Sequence, residues 1–283
     1  MGGGWESAER VEEIRETCEE DGKNMRKLFE KWIGGYEKYR SGHGYTCDCC
    51  GREIFNYPTM RLCADCDEAL PRILEEQRCP KCGRKRAAQG VCLDCKARMP
   101  SFYYAISPFS YDDEAAVLIN RLKNGDKYLA YFFADAIAPL LRRKLAESGF
   151  DEGGCVYTCV PDRKEARLER RTRSYNPSAE LARLTCEKLG VAFDENVMVK
   201  ARETRPQKRM SASERFENVR GAYRVHERAV CRDKIVVVFD DIMTTGATGG
   251  ECARILLAVG AKCVVFVSAV SVSERKDFPT FAE

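Results

Sequence analysis

From about Pro100 onward, short apolar runs alternate with stretches whose apolar residues recur every third or fourth position, the pattern of an α/β domain. Strands are expected over Phe102 to Ile106, Cys155 to Val160, Ile235 to Phe239 and Cys263 to Val270. The run Ile235-Val-Val-Val-Phe239 has no polar interruption, as a central parallel strand covered on both faces requires. Helix signals fall between the runs. Asn176-Pro177 reads as an N-cap followed by proline at the first helical position, and Gly190 as the stop of a helix over 177 to 189. Gly260 ends a further helix that begins near Gly249.

Upstream the pattern changes twice. Residues 1–46 place Val11, Ile14 and Cys18, then Met25, Leu28, Phe29, Trp32, Ile33 and Tyr36, at helical spacing broken at Asp21-Gly22, which predicts a helical extension of two short helices. Its 8 basic and 10 acidic residues give no cationic face for a membrane. Residues 47–99 are too poor in aliphatic side chains to build a core and need staples. The expected division is therefore an extension at 1–46, a cysteine-rich segment at 47–99 and an α/β domain at 100–283. The longest apolar stretch, Tyr128 to Leu141, is interrupted by Asp135 and Pro139 and falls short of the ~18 residues a membrane span needs. With no basic end or apolar stretch of a signal peptide at the start, a soluble, cytoplasmic protein is expected.

A chain of 283 residues with 44% hydrophobic and 32% charged residues can fold without disulfides, so its 16 cysteines point to metal in a reducing compartment. Eight form four Cys-x-x-Cys pairs: Cys47 and Cys50, Cys63 and Cys66, Cys79 and Cys82, Cys92 and Cys95. They read as two consecutive zinc ribbons, each holding one structural Zn2+. Two intervening residues let a tight turn aim both sulfurs at one ion, and four thiolates leave no open position for catalysis. Gly51 and Gly83 follow the second cysteine of each knuckle and relieve the backbone there. Cys49 is a competing ligand that should point away, and Cys18, Cys155, Cys159, Cys186, Cys231, Cys252 and Cys263 follow no spacing rule and read as small core residues. The formal charge of +3 counts every thiol as neutral; each ion with four thiolates removes two charges, so the loaded chain stands at −1. Arg84-Lys85-Arg86, at the tip of the second ribbon, is either a phosphate contact or a solvated surface cluster.

The buried run at 235–239 leads into Asp240-Asp241-Ile-Met-Thr244-Thr245-Gly246-Ala247-Thr248. A strand, two acids, a loop of small and hydroxyl residues and a helix start together can hold a phosphorylated sugar. The N–H groups of 244–248 and the threonine hydroxyls surround a phosphate, Gly246 permits its approach, and the carboxylates accept from vicinal ribose hydroxyls. No Gly-x4-Gly-Lys-Ser/Thr loop occurs.

Positions Val236 to Thr248 resemble the signature of the type I phosphoribosyltransferases, which bind 5-phosphoribosyl-1-pyrophosphate (PRPP) with Mg2+. A narrower resemblance covers roughly residues 47 to 272. The twin ribbons, Val160-Pro161 followed by basic residues, Arg173-x-Tyr175-Asn176, Thr204-x-Pro206-Gln207-x-x-Met210-Ser211 and Glu214-Arg215-x-x-Asn218-Val219 are similar to the ComF family, also called GntX-like. That family is associated with natural competence and inward handling of single-stranded DNA. This chain departs from it at Arg173-Ser174-Tyr175-Asn176-Pro177, where Arg-Gly-Phe-Asn-Gln is usual, and at Leu122-Lys123-Asn124-Gly125, which lacks the usual aromatic residue after the lysine.

The resemblance implies a type I phosphoribosyltransferase-like parallel sheet flanked by helices. Asp240 and Asp241 orient the ribose, Thr244, Thr245, Gly246, Ala247 and Thr248 anchor the 5′-phosphate, and Arg163 and Lys164 contact pyrophosphate. It also implies PRPP, single-stranded DNA and a separate helicase as partners. Residues 163 to 224 carry 16 basic and 9 acidic side chains, with Arg167, Arg170, Arg171 and Arg173 as candidate DNA contacts and Tyr175 as a stacking surface. The same positive surface would attract PRPP alone. Three functions follow: a ComF-like protein handling incoming DNA, a metabolic phosphoribosyltransferase for a base or amine, or a zinc-ribbon adaptor without turnover. With only His43 and His226, no histidine-based triad is expected.

Overall fold

The structure, a computed structural model, describes residues 46–54, 61–162, 175–205, 210–227 and 229–274. The chain divides into two compact units, residues 1–65 and 66–283. The helices expected in the first 45 residues lie outside the described residues.

The larger unit is built on a parallel sheet. Its strands are β1 (Tyr104–Ile106), β2 (Phe109–Ser110), β3 (Val156–Cys159), β6 (Ile235–Met243) and β7 (Cys263–Ser271), in the spatial order β1-β7-β6-β3 with β2 also paired to β7. Every pairing in this sheet is parallel. β4 (Met198–Lys200) and β5 (Tyr223–Val225) form a separate antiparallel pair. All four sequence-read strands are present. β6 runs further than its apolar stretch predicts, because pairing with β7 continues through Asp240↔Ser268, Ile242↔Val270 and Met243↔Ser271. Both acids therefore stand on a strand, and the loop begins only at Thr244.

Five helices of eight or more residues complete the described part: α1 (Asp113–Asn124), α2 (Leu129–Glu147), α3 (Pro177–Leu189), α4 (Ala212–Val219) and α5 (Ala247–Ala258). α3 begins and ends as its sequence dictates. The Asn176 side chain accepts from Ser178 N–H at 3.0 Å, Pro177 opens the first turn, and Gly190 closes it at φ 76°. The Tyr128 to Leu141 stretch is most of α2, which buries Phe133, Ile137, Leu141 and Leu145 along one stripe. No helix among the described residues is long and apolar enough to cross a membrane.

Alternation along β6 and β7 sorts the core into two layers. Val236, Val238, Val264 and Phe266 pack with Cys252, Ala253 and Leu256 of α5, with Tyr223 of β5, and with Cys79, Cys82, Cys92 and Cys95. Val237, Phe239, Val265 and Val267, also fully buried, face the opposite side, where α3 packs on β6 and β3, and α1 and α2 on β7. This is the α/β fold expected, a parallel sheet flanked by helices and preceded by four-cysteine groups. It has one addition: the second cysteine group is part of the sheet's own core.

Candidate functional site

The eight paired cysteines assemble as their spacing predicts. Cys47, Cys50, Cys63 and Cys66 form one group and Cys79, Cys82, Cys92 and Cys95 the other, the sulfurs of each lying within 4.8 Å of one another. A tetrahedral zinc site with Zn–S bonds of ~2.3 Å has S···S edges of ~3.8 Å. Cys50 to Cys63 measures 3.7 Å and Cys82 to Cys92 3.5 Å, so both donor sets fit structural zinc. Cys49 is in neither group. Of the unpaired cysteines, Cys159, Cys186, Cys231 and Cys252 are buried as expected, whereas Cys155 and Cys263 are half-buried.

The second group is walled in. Its four cysteines are 1–2% exposed. Gly83 accepts the positive φ of 69° that the knuckle turn demands, and a Cβ there would lie 2.2 Å from the Ala105 carbonyl oxygen of β1. Ala105 N–H in turn donates to the Lys81 carbonyl at 2.8 Å, and the Lys81 ammonium donates to the carbonyls of Phe102 and Tyr103. From beyond β7, the buried Glu274 carboxylate accepts from the N–H groups of Ala87 and Leu93.

Arg84-Lys85-Arg86 does not form a basic tip. Arg84 is 3% exposed and paired with Asp94 at 2.6 Å, and Arg86 donates to the carbonyls of Arg78, Ala88 and Glu76. Burying a guanidinium requires a carboxylate partner, so only Lys85 of the three stands exposed. Neither the solvated-surface nor the phosphate-contact reading of the cluster holds for Arg84, which is buried, and Arg86 is engaged by backbone carbonyls.

The acidic pair stands near the C-terminal end of β6, just before Ile242 and Met243, at the edge of the sheet where ligands of open parallel sheets bind. Asp240 Oδ1 accepts from Asp241 N–H at 2.9 Å and from the Ser178 hydroxyl, in the first turn of α3, at 3.2 Å. Asp241 Oδ2 lies 2.8 Å from Lys123 Nζ near the end of α1. Burial pushes the Asp240 carboxyl up to about 7, and the neighbouring charge of Asp241 adds to this; Asp241 N–H, Lys123 and Ser178 act in the opposite direction. Immediately beyond, Thr244, Thr245 and Thr248 are half-buried, while Gly246 and Ala247 are buried. Gly246 adopts φ 77° as the N-cap of α5, and Ala247 N–H is 3.4 Å from Thr245 Oγ1. At Gly249 a Cβ would meet the Phe266 ring at 3.0 Å, so glycine sets how closely α5 approaches the sheet.

Four residues thus meet near this strand end that the motif reading did not assign to it: Lys123, Ser178, Tyr223 and Asn176. Asn176 ties the start of α3 to the end of β3 by donating to the Val160 carbonyl at 3.0 Å. Tyr223 is buried close enough for the Asp240 charge to help push its hydroxyl upward, after burial itself. Tyr175, read as a stacking surface, donates its hydroxyl to the Leu122 carbonyl and has Lys127 Nζ 4.9 Å from its ring. Arg163, Lys164, Arg167, Arg170, Arg171 and Arg173 lie outside the described residues. The polar residues of the Met210 to Val219 motif hold their own loop: Ser211 and Glu214 form a reciprocal capping box, and Asn218 bonds the backbone of Arg205 through both its oxygen and its nitrogen.

No protein-family model matches the chain. Among curated proteins it is 27% identical over 208 residues to the "DNA utilization protein YhgH" of Salmonella typhimurium, covering 72% of this chain and 87% of that one. It is 26% identical over 208 residues to the protein of the same name in Escherichia coli K12, with the same coverage. It is 29% identical over 213 residues to "Competence protein ComFC" of Streptococcus pneumoniae, covering 74% and 87%. A solved structure, that of TT1426 from Thermus thermophilus, aligns with 16% identity over 56% of this chain and 91% of its own at a TM-score of 0.28, too low to bear on the fold. Over nearly three quarters of its length the chain is similar to proteins named for DNA utilization and for competence, which upholds the ComF-family resemblance carried by its cysteine groups and acidic strand end.

Proposed function

We propose that this is a ComF-like protein that binds PRPP with Mg2+ and handles incoming single-stranded DNA in the cytoplasm, beside a separate helicase. The observation that carries the PRPP reading is the continuity of β6. Two adjacent carboxylates near the end of a buried parallel strand are followed, after Ile242 and Met243, by Thr244 to Thr248 and the N-terminus of α5, whose first N–H groups favour a phosphate. The DNA reading rests on the names of the relatives and on the basic excess of residues 163 to 224.

In this reading Asp240 and Asp241 accept from the ribose hydroxyls, and the loop 244–248 holds the 5′-phosphate. Arg163 and Lys164 meet the pyrophosphate, and Arg167, Arg170, Arg171 and Arg173 track a DNA backbone. A base stacking on Tyr175 would share the ring with Lys127. Mg2+ bound with PRPP would supply charge neutralisation for the leaving pyrophosphate. If the domain turns over, the reaction is displacement of pyrophosphate at the anomeric carbon, with the acceptor as nucleophile.

The test is calorimetric titration with PRPP and with oligo-dT, with and without Mg2+, followed by a pyrophosphate-release assay. Asp240→Asn with Asp241→Asn, or Thr245→Val alone, should weaken PRPP binding by about 1.5–3 kcal/mol without unfolding the protein. Arg170→Glu with Arg171→Glu should weaken oligo-dT, in a salt-dependent manner, far more than PRPP. Unchanged PRPP affinity in both loop variants would refute the ligand assignment, and equal weakening of both ligands by the arginine variant would move the basic stretch into the PRPP pocket.

A further inference from the structure

Lys123 is, among the described residues, the cation paired with the acidic pair, and the motif reading gave it no role. Its Nζ lies 2.8 Å from Asp241 Oδ2, with the lysine side chain 26% and the aspartate side chain 15% exposed. This is a partly desolvated pair, where Coulomb attraction is less screened than on an open surface. Lys123 sits one residue before the end of α1, and that end is braced. Gly125, at φ 131°, caps it by donating to the carbonyls of Arg121 and Leu122. Arg121 pairs with Asp126 at 2.8 Å, and the Tyr175 hydroxyl donates to the Leu122 carbonyl. The lysine is therefore delivered to Asp241 by a fixed helix terminus.

We propose that Lys123 is a positioning residue for the ribose site: through its ion pair with Asp241 it fixes that carboxylate and offsets the repulsion between two adjacent acids that must both accept from ribose hydroxyls. The inference rests on the PRPP reading and assigns within it a residue outside the Asp240 to Thr248 segment. Two carboxylates on consecutive residues of a buried strand oppose each other's ionisation. Among the described residues, the groups that act electrostatically or by hydrogen bond on Asp240, or feel its charge, are Asp241 on its own strand, Lys123 from α1, the Ser178 hydroxyl from α3, Tyr223 from β5 and Cys252 from α5. Burial pushes Tyr223 and Cys252 upward, so both stay neutral near pH 7 and Lys123 is the countercharge in this set. Without it the pair takes up a proton at higher pH, and a protonated carboxyl loses acceptor capacity toward a hydroxyl.

The test is the pH dependence of PRPP affinity, by calorimetry at fixed Mg2+, for the full chain and for Lys123→Met and Lys123→Arg. For the unaltered chain, affinity should be level above about 7 and fall as pH drops through it, following Asp240. In Lys123→Met the fall should begin about one pH unit higher, which is roughly a threefold loss of affinity near pH 7.5, approaching about tenfold well below pH 7. Lys123→Arg should restore the original midpoint. The ligand's own phosphate titration is common to all three proteins and cancels in the comparison. An unmoved midpoint in Lys123→Met, whether affinity is unchanged or lowered equally at every pH, overturns the proposal while leaving PRPP binding standing. No PRPP binding by the unaltered chain overturns the reading it rests on, and the proposal with it.

Discussion

Around Cys79, Cys82, Cys92 and Cys95 every side of the quartet is protein: the backbone of β1 against Gly83, the buried Arg84–Asp94 pair, and Glu274 returning from beyond β7. In the first quartet Cys47, Cys63 and Cys66 are also buried, but its rim is open among the described residues. Cys50 is exposed, Gly51 has open space where a Cβ would stand, and the Arg52–Asp65 pair is exposed on both sides. Asp48, buried there, lies 3.7 Å from Arg61. The spacing of the two quartets is nearly the same, yet all four sulfurs of one are built into the core of the sheet domain, while the other has an exposed member. A metal motif thus specifies coordination, and its packing specifies how far loss of the metal is felt.

The sharpest way to break this contrast is to remove one ligand from each quartet. Cys82→Ser should lose one zinc and destabilise the sheet domain by on the order of 5 kcal/mol or more, because the same sulfurs pack with Phe102, Val236 and Phe266. Cys50→Ser should also lose one zinc but move the domain's melting by less than about 0.5 kcal/mol. Thermal melts with zinc analysis decide it, and equal destabilisation by the two variants would refute the contrast. The knuckle glycines form the next pair. Gly83→Ala meets both a positive φ and the Ala105 carbonyl and should cost at least about 1–3 kcal/mol, whereas Gly51→Ala faces only the dihedral strain and should cost less in denaturant titration. Last among the variants aimed at the second quartet is Glu274→Ala, which leaves the N–H groups of Ala87 and Leu93 without their carboxylate and should cost about 1–2 kcal/mol. Hydrogen exchange at those two amides should accelerate in the variant, and unchanged protection would remove Glu274 from the second quartet's support.

Features written in local patterns were legible in the sequence. Period and run length gave β3, β6 and β7, the Asn176-Pro177 and Gly190 signals gave both ends of α3, and Cys-x-x-Cys spacing gave both quartets. Contacts between distant segments were not legible. Arg84 looked like a surface charge because its partner Asp94 lies ten residues on and the burial around both comes from elsewhere in the domain. Tyr175 looked like an open aromatic surface because nothing local announces the Leu122 carbonyl. Lys123 differs from these: it lies in a segment already compared with the family pattern, but only the fold shows that the end of α1 abuts the end of β6. The continuation of β6 through Asp240 to Met243 was hidden for a related reason. Hydropathy ends at Phe239, whereas ladder pairing depends on β7 and is indifferent to side-chain polarity.

The parallel pairing of β1 with β7 also sets an order of assembly. Ser107 and Ser268, bonded hydroxyl to hydroxyl, are 161 residues apart, and Glu274 reaches Ala87 across 187. As the chain leaves the ribosome, the second quartet can take its metal long before the strands that cover it exist. Its future contact face, with Phe102 and Ala105, must wait uncovered through the synthesis of β3, α3 and β6. Such long-range closure slows folding and lengthens exposure of apolar surface. A metal knuckle formed early would fix one wall of the core before the final strand arrives.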